Sequence, residues 1–225
     1  MLNKNPVNIA RSKHYGSNYY VSHSKKLNRR VDFHSNLEYG NYLSVELNPN
    51  ITTYLEQPVK GEILDENGKL CKTIFDMEVE YKNGVKELWE IKYSSELTGT
   101  DIASVRSQKQ IEIQKKWCEL NGINYRLRNE KDIFKGSEHL NNMRFMYHCL
   151  NRADIDLIYS NKNRLADIIE HAGCITIGEL FKSYKDPDSV YPTITYFLIN
   201  ECIAADIYNQ EISFETEVYH VAKKN

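Results

Sequence analysis

Between residues 36 and 47 apolar and aromatic side chains fall at positions 37, 39, 42, 43, 45 and 47, close to the period of a helix, and Asn48-Pro49 ends the run. A helix over about 36–47 is therefore expected. "ITTYLEQPVKGEIL" alternates instead and is interrupted by Pro58, which predicts two short strands or one kinked edge strand. "CKTIFDMEVEYKNGVKELWEIKY" holds two alternating runs joined at Lys82-Asn83-Gly84, the pattern of a hairpin. In "DIASVRSQKQIEIQKKWCELNG" the apolar positions are 102, 105, 111, 113, 117 and 120, with Gly122 placed to close a helix. "INYRLR" returns to strand character. Helix, strands, helix and strand in this order describe a small α/β sheet flanked by helices.

The texture changes near Gly136. "SEHLNNMRFMYHCLNR", "NRLADIIEHAG" and "TIGELFKSYKD" predict three helices, and "SVYPTITYFLINECIAAD" a fourth that begins after Pro192. "IYNQEISFETEVYHV" reads as short alternating strands. Helices followed by a terminal β-ribbon fit a winged-helix-like α+β domain over 137–225, with "KDIFKGSEHL" as the junction to the α/β domain over 31–134.

Composition narrows the class without naming a function. The 225 residues are 41% hydrophobic and 27% charged, which excludes a disordered or fibrous chain. No apolar run approaches the ~20 residues of a membrane span, and the N-terminus lacks a secretory pattern, so a cytoplasmic protein without a membrane partner is expected. The five widely spaced cysteines offer none of the close pairs of zinc or redox motifs and are read as reduced. Charge is uneven. Residues 1–30 carry Lys4, Arg11, Lys13, Lys25, Lys26, Arg29 and Arg30 and no acid, leaving a net −9 for the rest of a chain whose total is −2. A basic arm on an acidic body suits contact with a polyanion, and Lys25, Lys26, Arg29 and Arg30 are the candidate contacts to it; a solvated tail would have the same composition. Residues 137–225 hold 13 acids against 8 lysines and arginines, a poor balance for tracking phosphates and a better one for docking protein.

The hairpin register carries the candidate chemistry. If Lys82-Asn83-Gly84 forms a three-residue loop with Gly84 left-handed, Tyr81 faces Val85 and Asp76 faces Glu90. Asp76, Glu90 and Lys92 then share one face, while Phe75, Trp89 and Ile91 pack the other. Two nearby carboxylates repel unless a cation lies between them, and an all-oxygen set suits Mg²⁺, with Mn²⁺ able to substitute. The same residues would equally make a solvent-facing hairpin with a cross-strand ion pair. Glu38 is open in the same way: Ser35-Asn36-Leu37-Glu38 fits a helix-capping box as well as it fits a site acid.

The ordered set "RRVDFHSNLEYGNYLSVELNPNITTYLEQP", "IFDMEVEYKNGVKELWEIK", a lysine-rich helix and "INYRLR" resembles the TnsA endonuclease subunit of heteromeric cut-and-paste transposons, within the PD-(D/E)xK nucleases. The asparagine-containing helix "HLNNMRFMYHCLNR" and the segments C-terminal to it are similar to that family's C-terminal half. The resemblance implies a restriction-endonuclease-like mixed sheet, and it implies Glu38, Asp76, Glu90 and Lys92 as catalytic residues. The three acids would be the metal ligands, with Gln57 of the E-Q-P stretch in a supporting role. It further implies cleavage of the 5′, non-transferred strand at transposon ends, beside a DDE transposase and an AAA+ ATPase. Phe75 stands where the superfamily's proline would, a departure that touches backbone shape and no ligand. A PD-(D/E)xK restriction or repair nuclease, or an inactive nuclease-like adaptor, would fit the same residues.

Overall fold

The structure, a computed structural model, describes residues 18–58, 60–64, 68–184 and 187–221. The chain divides into two compact units, one made of the residues up to Glu46 with Asn50–Ile133, the other of Leu47–Pro49 with the residues from Phe134 onward.

In the first unit, β1 (Tyr20–Ser24) and β2 (Arg29–Phe33) form an antiparallel hairpin. Val31 and Phe33 are buried, and Phe33 stacks on Tyr42 with ring centroids 4.6 Å apart. Residues 20–33, expected to lie largely on a basic arm, are thus anchored by apolar contacts; Lys4, Arg11 and Lys13 lie outside the described residues. Helix α1 (Asn36–Glu46) comes next and buries Leu37, Tyr42, Leu43 and Val45, matching the expected helix to within a residue. β3 (Ile51–Glu56) and β4 (Lys60–Leu64) are separate strands. Between them Gln57 adopts a left-handed backbone, φ 46°, and Pro58 succeeds it, so the run leaves one sheet for another.

The hairpin is not one continuous ribbon. β5 (Leu70–Ile74) pairs with β4, the chain bends at Phe75-Asp76, and β6 (Met77–Tyr81) pairs with β3 and β7 (Lys86–Ile91). Beyond the bend the expected register holds. Met77 faces Trp89, Glu80 faces Lys86, Tyr81 N–H donates to Val85 O, and Gly84 takes φ 80°. The bend breaks the two-residue alternation, so Phe75 does not pack with Trp89 and Ile91 as expected. It is fully buried with Leu88 and Cys118, against Trp117 and Tyr125.

α2 (Ser94–Thr98) and α3 (Ile102–Asn121) lead to β8 (Asn124–Arg128), which runs parallel to β7 and completes a mixed sheet in the order β3-β6-β7-β8. A parallel neighbour needs a crossover, and α3 supplies it. Asp101 caps its N-terminus, and Gly122, φ 63°, closes the other end. α1 reaches one face of the sheet, Asn41 Nδ2 donating to Met77 Sδ, while α3 covers the other through Cys118 and Gln114. The buried stripe of α3 is Ser104, Ser107, Ile111, Gln114 and Cys118, whereas Ile102, Val105 and Leu120 are exposed. A short helix, α4 (Glu130–Ile133), ends the unit.

The second unit contains α5 (His139–Arg152), α6 (Ile155–Ala172), β9 (Cys174–Thr176), α7 (Ile177–Ser183), a 3-10 turn at Pro187–Ser189, α8 (Val190–Ile199), β10 (Ile203–Ala204) and β11 (Glu217–His220). The strands form an antiparallel sheet in the order β10-β11-β9. α8 begins before Pro192 rather than after it, because a proline in the first turn has no intrahelical N–H bond to lose. The segment between β10 and β11, expected as strand, is instead a loop gathered by Asn142. Its Nδ2 donates to Ile207 O (2.9 Å) and Gln210 O (2.7 Å), and its Oδ1 accepts from Ile212 N (2.9 Å). Side-chain bonds satisfy the backbone there in place of a ladder. Among the described residues no helix is long and apolar enough to cross a membrane.

Candidate active site

Four elements of the first unit bring the candidate residues to a cleft or to the buried cluster behind its wall. The bend before β6 delivers Asp76, the end of β7 delivers Glu90 and Lys92, the first turn of α1 delivers Glu38, and the turn after β3 delivers Gln57. Glu38, Gln57 and Asp76 line this cleft of about 620 Å³ together with Gln110 of α3.

Glu90 has no solvent exposure, and each of its oxygens is occupied. Oε1 accepts from Gln110 Nε2 at 2.9 Å and pairs with Lys92 Nζ at 3.0 Å, while Oε2 accepts from Gln114 Nε2 at 2.6 Å. Tyr125 OH donates to Gln114 Oε1 at 3.1 Å and so fixes which way the amide faces. The polar character of the buried stripe of α3 has its reason in this role: a leucine at 114 would leave a buried carboxylate oxygen without its donor.

Asp76 is held by backbone. Its Oδ2 accepts from Ile91 N–H at 2.7 Å, its own N–H donates to Trp89 O at 3.1 Å, and its carbonyl accepts from Gln57 N–H at 2.9 Å. The left-handed turn at Gln57 therefore supports Asp76 through the main chain, with the Gln57 side chain at the cleft wall. Of the two readings that its spacing left open, the structure shows Glu38 in the cap. Its oxygens accept from His34 N–H (3.2 Å) and Ser35 Oγ (3.0 Å), and its N–H donates to Ser35 Oγ (3.1 Å), which is a cap; it also lines the cleft.

The electrostatics are those of acids gathered with too few cations. Burial pushes the Asp76 carboxyl up to about 7 and the Glu90 carboxyl to about 8; Glu38 adds to the rise at Asp76 and Asp76 to that at Glu90, against the pull of Lys92. Glu38 is raised as well, first by burial and then by Glu90, while its hydrogen bonds and Lys92 oppose the rise. Burial alone would lower Lys92, but Asp76 and Glu90 outweigh it and hold the ammonium above its ordinary value. Among the described residues no three His, Cys, Asp or Glu side chains form a ready metal cage. Asp76, Glu90 and Lys92 are brought into one cluster, and Glu38 stands at its edge with both oxygens engaged in the cap.

The four cations expected to contact DNA are differently placed. Arg29 forms a two-pronged pair with buried Glu56, its Nη2 donating to Oε2 at 2.6 Å. Lys26 Nζ donates to Ile51 O at 2.5 Å, and burial lowers its ammonium to about 8. Arg30 Nε donates to Asp32 Oδ1 at 2.9 Å, and Lys25 is exposed in the turn between β1 and β2. Two of the four are thus committed to holding the hairpin. Sequence reasoning missed Gln110 and Gln114, although polar residues at 107, 110 and 114 on a helix that must pack on a sheet were the available signal.

The family model for the TnsA-like endonuclease N-terminal domain matches residues 48–130, a stretch that includes Gln57, Asp76, Glu90, Lys92 and both glutamines but begins after Glu38. No curated protein matches the chain.

Proposed function

We propose that this chain is a divalent-metal-dependent DNA endonuclease that cuts the 5′, non-transferred strand at transposon ends, as the nuclease subunit of a heteromeric transposase with a DDE transposase and an AAA+ ATPase. The observation that carries the reading is half-buried Asp76 beside buried Glu90 with Lys92 on Glu90, inside a stretch similar to a TnsA-like endonuclease domain.

The residues fit a hard divalent cation. Asp76 and Glu90 offer carboxylate oxygens only, and both are driven toward protonation by burial and by a neighbouring acid, Glu38 at Asp76 and Asp76 at Glu90, a conflict that a divalent charge relieves. Asp76 and Glu90 would hold Mg²⁺ or Mn²⁺, with Glu38 as the third acid of the site. Such an ion, when bound, acidifies a water and offsets charge on phosphoryl oxygens. Gln110 and Gln114 keep the Glu90 carboxylate aimed, and the Ile91 amide does the same for Asp76. Lys92 remains an ammonium, able to donate to a phosphate oxygen or a water as negative charge develops.

The second unit runs α6-β9-α7-α8-β10-β11 with sheet order β10-β11-β9, which supports a winged-helix-like arrangement. Its net acidity supports a protein-docking role, toward the transposase or the ATPase, over one that reads a DNA groove.

The test is strand-resolved cleavage of an end-bearing DNA by the chain with the products of its neighbouring genes, in Mg²⁺ or Mn²⁺ and in chelator. Metal-dependent scission confined to the 5′ strand is expected. Scission without metal would remove the enzymology, and indifference to transposon ends would remove the transposition context in favour of a restriction or repair nuclease.

A further inference from the structure

We infer that the phosphate backbone of the DNA is held at the rim of this cleft by Lys60, Lys72, Arg106 and Lys109, and that these residues, rather than those of the β1–β2 hairpin, are the main phosphate-binding surface of the first unit. The inference rests on the nuclease reading for the identity of the polyanion but not for the existence of the site.

All four cations line the cleft that contains Glu38 and Asp76, and they come from different directions, Lys60 from β4, Lys72 from β5, and Arg106 and Lys109 from α3. On α3 the cleft-facing positions are 106, 109, 110 and 113, spaced i, i+3, i+4 and i+7, which is one continuous helix face. That face adjoins the buried stripe and shares the hold on Glu90 with it, Gln110 donating from the cleft face and Gln114 from the stripe, so a single helix both aims the acid and presents positive charge to the cleft. Lys60, Arg106 and Lys109 are exposed and have no ion-pair partner among the described residues, whereas Lys72 pairs with Glu62 at 2.7 Å. Three uncompensated cations on two elements around one cleft concentrate positive potential there, which attracts a polyanion. The cleft wall also includes Thr73, 5% exposed, whose hydroxyl has no hydrogen-bond partner. Buried hydroxyls are rarely left so, and a bound oxygen would complete it.

The cleft lining carries both charges, the cations Lys60, Lys72, Arg106 and Lys109 and the acids Glu38 and Asp76. The cations attract the backbone, while the acids repel a phosphate that approaches them without a counter-charge. The committed pairs at Arg29 and Lys26 fit the same division, since those cations already have partners inside the protein.

The experiment uses the full chain and duplex DNA in chelator, where no cleavage occurs, and measures the salt dependence of binding. Triple replacement of Lys60, Arg106 and Lys109 by alanine is compared with a charge-matched triple at Lys115, Lys116 and Lys131, which are exposed and absent from the cleft lining. The cleft triple is expected to lower the log–log slope by ~2 to 3, up to ~0.9 for each lost contact, and to weaken binding more than tenfold at low salt. The control triple should move the slope by less than ~1. Unchanged thermal midpoints verify folding, and the charge-retaining R106K/K109R variant should keep the wild-type slope. Equal losses in the two triples, or an unchanged slope in the cleft triple, overturn the inference. If the wild-type chain together with its partner proteins fails to cleave in Mg²⁺ yet the cleft triple loses slope, the nuclease reading falls and the polyanion site stands. Normal cleavage with an unchanged cleft triple has the reverse meaning.

Discussion

Gln114 on α3 donates to Glu90 Oε2 at 2.6 Å, a bond between two side chains with no solvent exposure, in a first unit whose crossover helix packs on the sheet largely through polar residues. Replacing Gln114 by leucine keeps volume and removes the donor, so a buried carboxylate oxygen is left unsatisfied. A loss of about 1–3 kcal/mol in metal-free stability is expected by urea titration, with no change in the m-value. An unaltered midpoint would show that Glu90 does not depend on the helix.

The cap at Glu38 can be separated from the catalytic role proposed for it. Glu38→Gln keeps one oxygen to accept from His34 N–H and gains an amide NH2 that can donate to Ser35 Oγ, but it removes the charge, so stability should change by less than about 1 kcal/mol while cleavage falls at least a hundredfold. Near-normal cleavage by the folded variant would leave Glu38 with the cap alone.

Metal-free stability should depend on pH with a definite sign. Asp76 and Glu90 are raised in the folded chain to about 7 and about 8, above their ordinary values, so the folded state binds protons more tightly than the unfolded one. Their contribution is fully present below the ordinary carboxylate range and is lost as pH rises through the raised values. In chelator the thermal midpoint is expected to fall from pH 5 to pH 8, and Mn²⁺ should restore it at pH 8 far more than at pH 5. Asp76→Asn should flatten the fall and remove most of the Mn²⁺ effect. A variant that responds to Mn²⁺ as the parent does would place the cation elsewhere.

The parts of this architecture legible in the sequence are those set by local rules. The glycine closing α3, the register across Lys82-Asn83-Gly84 and the cap at Ser35 each depend on a few adjacent residues. Packing against distant segments decided the rest. The bend at Phe75-Asp76 is invisible to an alternation count, because β4 takes the first half of the run and β3 and β7 the second. Pairing of Arg29 with Glu56 depends on the β1–β2 hairpin meeting β3, a contact between segments distant in sequence that local patterning does not reveal. The glutamines of α3 looked like surface residues of a charged helix because hydrophobic periodicity assumes an apolar core, and here the core contains an acid that needs donors.

Whether Asp76 and Glu90 are the working acids of a nuclease is decided by Asp76→Asn, since the amide keeps an acceptor for Ile91 N–H while losing the charge. The assay is single-turnover cleavage of 5′-end-labelled transposon-end DNA in Mg²⁺ by parent and variant, with the partner proteins present and folding checked by circular dichroism. A fall of at least a thousandfold is expected, about 4 kcal/mol of transition-state stabilisation, with DNA binding in chelator retained. Cleavage of the 5′ strand by folded Asp76→Asn at a rate within a few-fold of the parent would remove Asp76 from the chemistry, and with it the nuclease centre described above.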